Sequence, residues 1–403
     1  MKVLFVTDAP VAPPLAGDQL VTAQLLASLR KRSDLAVLTL RPGRWDPAIV
    51  SGTRILNDGS LGAPAPPQRM ARMRALVGTK SLLEQRLADL PVPRLEEILR
   101  EEAPTVVLFN HLRVAALLSR IAVPAGTRSV YVAHNAEHEA YASMVQIETN
   151  PFLRFALVRE RQKTVRLERM VVQAADLTVA LTEEDSSRLR ALHPGAQMQV
   201  IPPAVAPHEH EMSAERGPCR VLLVGSYLWH AKFLNALWLV RDVWPTVLDR
   251  FPQAQLQIVG KGAGRLERHV ANLGTVSVHA DVPDIGAYLS QATIFVNPER
   301  QRGGIKLKTL DAASFGLPIV STAAGIEGTG LENDASCIVA NDSASFARGI
   351  LRLIVDPKLG KDLGIAARRV MCSRFSAGGL DERIDRMLER LGKPAHTVAG
   401  VAS

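Results

Sequence analysis

Short, fully apolar runs alternate with helix-length segments along most of this chain. VLFVT (3–7), LAVLTL (35–40), TVVLF (105–109), SVYVA (129–133), LTVAL (177–181) and MQVI (198–201) read as strands. A second series follows: RVLLVG (220–225), LQIVG (256–260), VSVHA (276–280), TIFVN (293–297), PIVST (318–322) and CIVA (337–340). Runs that are apolar at nearly every position, rather than at every second one, suit strands covered on both faces, as in parallel sheets flanked by helices. The Pro-rich, charged stretch 202–218 separates the two series and reads as a linker. The pattern therefore predicts an α/β protein of two doubly wound, Rossmann-like domains facing one another across a cleft. Segment 43–67 reads as irregular, and the small-residue stretch 395–403 as a disordered tail.

At 403 residues the chain is long enough for each domain to bury its own core. The short apolar run after Met1-Lys2, Val3 to Thr7, stops at Asp8, too short for a signal-peptide core. No apolar stretch approaches the roughly 18 residues of a membrane span. Cys219, Cys337 and Cys372 are scattered without metal-ligand spacing, which fits a reduced cytoplasm. The net charge of +8 points to anionic partners. Aromatic residues make up only 4% and do not interleave with basic runs, which argues against nucleic acid. Phosphorylated ligands or an anionic membrane remain.

The stretch 293–328 carries the chemistry. A strand ends at Asn297-Pro298, a loop with Gly303-Gly304 follows, and then a helix bears Lys306, Lys308 and Asp311 before a Gly-Leu-Pro break. Glycines ahead of a helix allow close backbone approach to a ligand, and first-turn N–H groups attract phosphate. Lys308 and Asp311, three apart, share a helix face. A cation for phosphate beside a carboxylate for sugar hydroxyls suits a nucleotide-sugar; a solvated surface pair has the same local pattern.

These residues resemble the donor-binding region of family 4 retaining glycosyltransferases of the two-Rossmann-domain GT-B architecture. The subgroup pattern Gly-Gly-x-Arg-x-Lys-x-x-Glu-Ala, then Gly-x-Pro-x-Val-x-Thr and Gly-x-Glu-Gly, falls on Gly303, Gly304, Lys306 (for Arg), Lys308, Asp311 (for Glu), Ala312, Gly316, Pro318, Val320, Thr322, Gly325, Glu327 and Gly328. Of the wider family's two glutamates eight apart, the first position holds Gly303. The resemblance implies that Lys308 neutralises the departing diphosphate and Asp311 accepts hydrogen bonds from ribose. It also places Gly303, Gly304, Lys306 and Glu327 at the donor, Gly17 close to donor or acceptor, and a phosphate-contacting lysine near Lys232. His134, in VAHNAEHEAY (132–141), corresponds to a histidine near the transferred sugar, with Asn135 and Glu137 on the same loop.

Three further features bear on this reading. His134 and His138 have His-x-x-x-His spacing, but the full zinc pattern and a third ligand are missing. The chain has no Asp-x-Asp, so lysines and the helix N-terminus must hold the diphosphate. Glu299 is a candidate to orient the sugar in place of the missing glutamate.

The expectation is a metal-independent retaining transferase without a cofactor, the nucleotide-diphosphate sugar being its co-substrate. Its acceptor would be a sugar, a lipid-linked saccharide or a small molecule. Residues 1–203 would form the acceptor-side domain and 204–375 the donor domain, with helix 376–394 packing back on the first. A nucleotide-sugar epimerase of the same architecture and a non-catalytic nucleotide-sugar binder are the alternatives. The basic, Met- and Leu-containing segment 68–88 (QRMARMRALVGTKSLLEQRLA) is expected to touch the inner face of the membrane. The similarly basic segment 152–172 reads as a core helix.

Overall fold

The computed structural model describes residues 1–13, 17–56, 61, 70, 73–75, 78–208 and 219–392. Two separate parallel sheets organise the chain. The first contains β1 (Lys2–Thr7), β2 (Asp34–Thr39), β3 (Arg54–Leu56), β4 (Val106–Asn110), β5 (Arg128–Ala133), β6 (Leu177–Ala180) and β7 (Met198–Val200), in the order β3-β2-β1-β4-β5-β6-β7. The second contains β8 (Arg220–Val224), β9 (Gln255–Gly260), β10 (Val276–Ala280), β11 (Ile294–Asn297), β12 (Ile319–Ser321) and β13 (Ile338–Val339), in the order β10-β9-β8-β11-β12-β13. In both sheets the order reverses beside the first strand, which opens a crevice at the carboxyl ends of the strands.

The inner strands of both sheets are covered on both faces, which is why they read as nearly unbroken apolar runs. Leu4, Val6, Val107 and Phe109 face one core of the first domain, while Val3, Phe5, Val106 and Leu108 face the other. β3 lies inside a stretch read from sequence as irregular. It is a three-residue edge strand with Arg54 and Ile55 exposed, so no apolar run marks it.

The chain passes between the domains twice, and the two passages touch: Val205 N donates to Phe375 O at 2.8 Å. Beyond Phe375, helix Ala377–Gly392 puts Leu380, Ile384, Met387, Leu388 and Leu391 into the core around Val3 and Phe5 of the first domain. Arg32 pins that helix, with Nε 2.6 Å from Asp385 and Nη1 3.2 Å from Asp381.

Helix Pro151–Ala174 starts from the Asn150 side-chain cap and buries one stripe, including Thr164, Leu167, Glu168, Val171 and Val172. Its first turns leave Phe152, Leu153 and Phe155 exposed, so only its later turns behave as a core helix. Of the segment 68–88, Arg69 and Arg72 lie outside the described residues, while Met70 and Met73 are exposed. The tail 395–403 and linker residues 209–218 also lie outside the described residues. Among the described residues no helix is long and apolar enough to cross a membrane.

Candidate functional site

The site is built where the carboxyl ends of β4 and β5 meet the loop that follows β11. On the second domain, buried Asn297 ends β11 and donates to both Thr309 Oγ1 and Gly325 O at 2.9 Å. These bonds tie the strand end to helix Leu307–Ser314 and to the turn after β12. That helix is short because Gly316 adopts φ +65°, a left-handed stop, and Pro318 follows. Its apolar residues Leu310, Ala312 and Ala313 are fully buried, so Lys308 and Asp311 lie on the opposite, more open face.

Two lysines converge on one carboxylate. Glu299 sits 3.0 Å from Lys232 Nζ and 3.2 Å from Lys306 Nζ. Burial alone would raise its carboxyl, but the paired ammonium groups outweigh burial and hold it down at about 2. Lys306 is itself buried and also donates to Gly303 O at 2.8 Å. Lys232, Lys306 and Glu299, separated by as much as 74 positions in sequence, therefore form one cluster with a net positive charge. Lys308 makes a separate pair with Asp311 at 3.2 Å and is 40% exposed.

Gly303 and Gly304 are engaged. Gly304 N donates to Asp185 Oδ2 at 2.9 Å, and Gly303 N to Glu327 Oε1 at 3.1 Å. Asp185 is buried and Glu327 partly buried, and they share Arg188, whose guanidinium bonds Asp185 at 3.2 Å and also pairs with Glu327. Glu327, placed by sequence at the donor, is thus committed to an ion pair across the cleft, which holds its carboxyl below the usual range despite burial. Gly304, at φ +68°, tolerates no side chain: a Cβ there would lie 2.0 Å from Asn135 Oδ1. The same loop gives Arg302 N to Ser143 Oγ at 3.0 Å. Nearby, Gly17 faces Leu307 across the cleft, a Cβ at Gly17 meeting Leu307 Cδ1 at 3.2 Å.

His134 directly follows β5 on the first domain. Its Nε2 lies 2.8 Å from Asn110 Oδ1, while Asn110 Nδ2 donates to Thr22 and Thr7. That network assigns the proton of His134 to Nε2 and leaves Nδ1 as an acceptor. The ring stacks on His111 at 3.7 Å between centroids. Burial, aided by Arg113, pushes its pKa down to about 3, so it is neutral at ordinary pH. His111 holds its stacked position from a strained backbone at φ +73°.

Asn135 and Glu137 follow on this loop and bond each other at 3.2 Å. Glu137 is raised to about 7 by burial first and by Glu168 next. His138 is bound to Glu168, its Nδ1 2.5 Å from Oε2. Glu168 also accepts from Glu137 N and His138 N, capping helix Glu137–Ile147 from the side. Among the described residues no group of three or more His, Cys, Asp or Glu could hold a metal ion.

The structure thus brings together Lys232, Glu299, Lys306, Gly303 and Gly304, and seats that loop on His134–Asn135–Ala136. Sequence reasoning assigned no individual role to Asp185, Arg188, Glu168 or Asn110. Their only local signal is position just after a strand or on a charged helix, which does not distinguish them from solvated residues.

Residues 22–209 match the glycosyltransferase family 4 model and residues 218–356 the glycosyl transferases group 1 model. A stretch of 141 residues is 28% identical to an uncharacterised 44.6 kDa protein in the cps region of Klebsiella pneumoniae, spanning 33% of this chain and 36% of that relative. Several solved structures share the whole fold. Sucrose-phosphate synthase from Thermosynechococcus elongatus superposes with TM-score 0.72 at 16% identity, over 96% of this chain and 98% of that one. Anabaena HepE in complex with UDP-glucose gives 0.65 at 14% identity, over 97% and 100%. WaaG, a glycosyltransferase involved in lipopolysaccharide biosynthesis, also gives 0.65 at 14%, over 97% and 100%. Two family matches on successive parallel-sheet domains make this chain a GT-B protein, a glycosyltransferase family 4 domain followed by a group 1 glycosyl transferase domain.

Proposed function

We propose that this protein is a retaining, metal-independent glycosyltransferase that moves a sugar from a nucleotide-diphosphate donor to an acceptor hydroxyl. The observation that carries this is the cationic cluster Lys232–Glu299–Lys306 beside the Lys308–Asp311 pair, at the strand ends that face His134. In transfer the bond from the anomeric carbon to the diphosphate breaks, and negative charge collects on the departing oxygens. Preorganised ammonium groups stabilise that charge more in the transition state than in the ground state. Lys308, Lys306 and Lys232 are the cations in reach, and Asp311 would accept from ribose hydroxyls.

Neutral His134 has the right form to accept a hydrogen bond from a sugar hydroxyl through Nδ1, and it does not take up a proton near pH 7. Among the described residues no nucleophile paired with a base stands at the strand end, so the departing phosphate would accept the acceptor's proton on the same face. HepE, of the same fold, has been solved with UDP-glucose, which supports a nucleotide-sugar donor.

A thermal-shift screen over nucleoside diphosphates, followed by transfer assays with the matching sugars, tests the reading. A ligand at a hundred times its Kd adds about 2.7 kcal/mol of stability. Absence of any such shift, or sugar interconversion without an acceptor, would overturn it.

A further inference from the structure

Two arginines pair with a single carboxylate at the acceptor-side strand ends, and a third stands within electrostatic range of them. Asp8 follows β1, Arg41 follows β2 and Arg113 follows β4. Arg41 Nε lies 3.0 Å from Asp8 Oδ1, and Arg113 Nε lies 3.0 Å from Asp8 Oδ2. Arg86, at the end of the short helix Leu82–Gln85, joins them: its backbone carbonyl accepts from Arg41 Nη2 at 3.1 Å. Among the described residues its guanidinium makes no ion pair. The cluster is mostly covered, Asp8 being 8% exposed and Arg41 and Arg113 21% and 24%.

The charge count is what sets this cluster apart. Two partly buried arginines elsewhere show the opposite balance: Arg32 has Asp381 and Asp385, and Arg188 has Asp185 and Glu327. Here, among the described residues, the ratio is inverted: Arg41 and Arg113 share Asp8, and Arg86 adds a third guanidinium whose charge acts on theirs. Burial, then repulsion from Arg113 and Arg41, lowers the pKa of Arg86, so the unliganded cluster carries uncompensated positive charge. Asp8 Oδ1 and Arg113 Nε are buried at ion-pair distance yet make no aligned hydrogen bond, which leaves bonding capacity unspent. A purely structural network would be balanced, because an unpaired buried charge is costly.

We propose that Arg41, Arg86 and Arg113 form an anion subsite, and that the acceptor carries a phosphate or carboxylate group held there. The acceptor half of this inference rests on the transferase reading above. Guanidinium forks bind both anions with paired, parallel hydrogen bonds, which lysines do not. Arg113 links the subsite to the reaction centre, standing three positions from Asn110 and acting electrostatically on both His134 and Glu137. An acceptor anchored by its anion would therefore present a nearby hydroxyl towards His134.

The test titrates the full-length protein with glycerol 1-phosphate, glucuronate and neutral glucose, and separately with the nucleoside diphosphates. At least one anionic probe should bind and glucose should not, and phosphate against carboxylate preference identifies the source. Arg86→Gln should weaken that binding at least tenfold while leaving nucleoside-diphosphate affinity within twofold. Arg113→Lys, which keeps the charge but loses the fork, should weaken it as well, with melting curves confirming that both variants fold. Failure of every anionic probe to bind, or wild-type affinity in both variants, overturns the subsite. If anions bind as described but no nucleoside diphosphate does, the transferase reading fails and the subsite stands.

Discussion

Asp185 and Gly304, 119 residues apart and in different domains, are joined by a 2.9 Å hydrogen bond from the Gly304 backbone N–H to Oδ2. The same carboxylate accepts from Ala136 N at 3.2 Å, from Thr182 Oγ1 at 3.0 Å and from Arg188. One buried side chain therefore fixes the Gly-Gly loop against the segment that carries His134. Asp185→Ala strands two backbone donors, Gly304 N and Ala136 N, and leaves Arg188 with Glu327 as its remaining carboxylate. It should destabilise the protein by about 2–4 kcal/mol, the range for breaking a buried charged network. Donor KM should rise with it, since the loop loses its seat. Denaturant midpoints and steady-state kinetics check this; a wild-type midpoint would show that the bond contributes nothing.

Lys306 and Lys308 are two apart and should behave differently. Lys308 is 40% exposed and, among the described residues, pairs only with Asp311, so Lys308→Ala should fold normally and lose kcat, on the order of 10²–10³-fold. Lys306 is buried against Glu299, so Lys306→Ala should lose stability, about 1–3 kcal/mol, as well as turnover. Asp311→Asn should chiefly raise donor KM, because ribose contacts differ little between ground and transition states. Full turnover by Lys308→Ala would remove the diphosphate from this helix.

Chelation separates lysine from metal stabilisation of the leaving group. With Lys232, Lys306 and Lys308 supplying the charge, activity should survive excess EDTA. Loss of turnover on chelation, with recovery on adding Mg²⁺ or Mn²⁺, would assign that work to a cation.

Glu137 gives a pH signature. Its carboxyl is raised from 4.5 to about 7 by burial, so the folded protein binds a proton there that the unfolded chain has released. Stability contributed by the protonated form is complete below pH 4.5 and is lost as pH rises through about 7. Glu137→Gln keeps a neutral group beside Asn135 and should raise the melting temperature at pH 8 relative to wild type, with little difference at pH 4.5. An equal effect at both values would mean that Glu137 titrates normally.

Much of the architecture is legible in the sequence. Inner parallel strands are covered on both faces and must be largely apolar, and twelve of the thirteen strands coincide with short, mostly apolar runs, although edge strand β10 also carries Ser277 and His279 and buries no residue. β3 does not, because an edge strand with Arg54 and Ile55 in solvent needs no such run. The Gly-Gly-x-Lys-x-Lys stretch is legible for a related reason: a glycine at φ +68° and a helix start are local requirements, met by local residues.

Only the tertiary structure decided which charges are buried and with whom. In sequence Glu168 is one of two glutamates among six basic residues, yet it is fully buried beneath His138. Asp185 and Arg188 look like a solvated helix start, and Glu299 like a loop carboxylate. Nothing within a few residues of Asp8 announces Arg41, Arg86 and Arg113. A buried charge survives only beside its partners, and here those partners come from strand ends tens of residues apart. Periodicity records which face of an element is covered, whereas the pairing of charges depends on which loops the finished fold brings to the same edge.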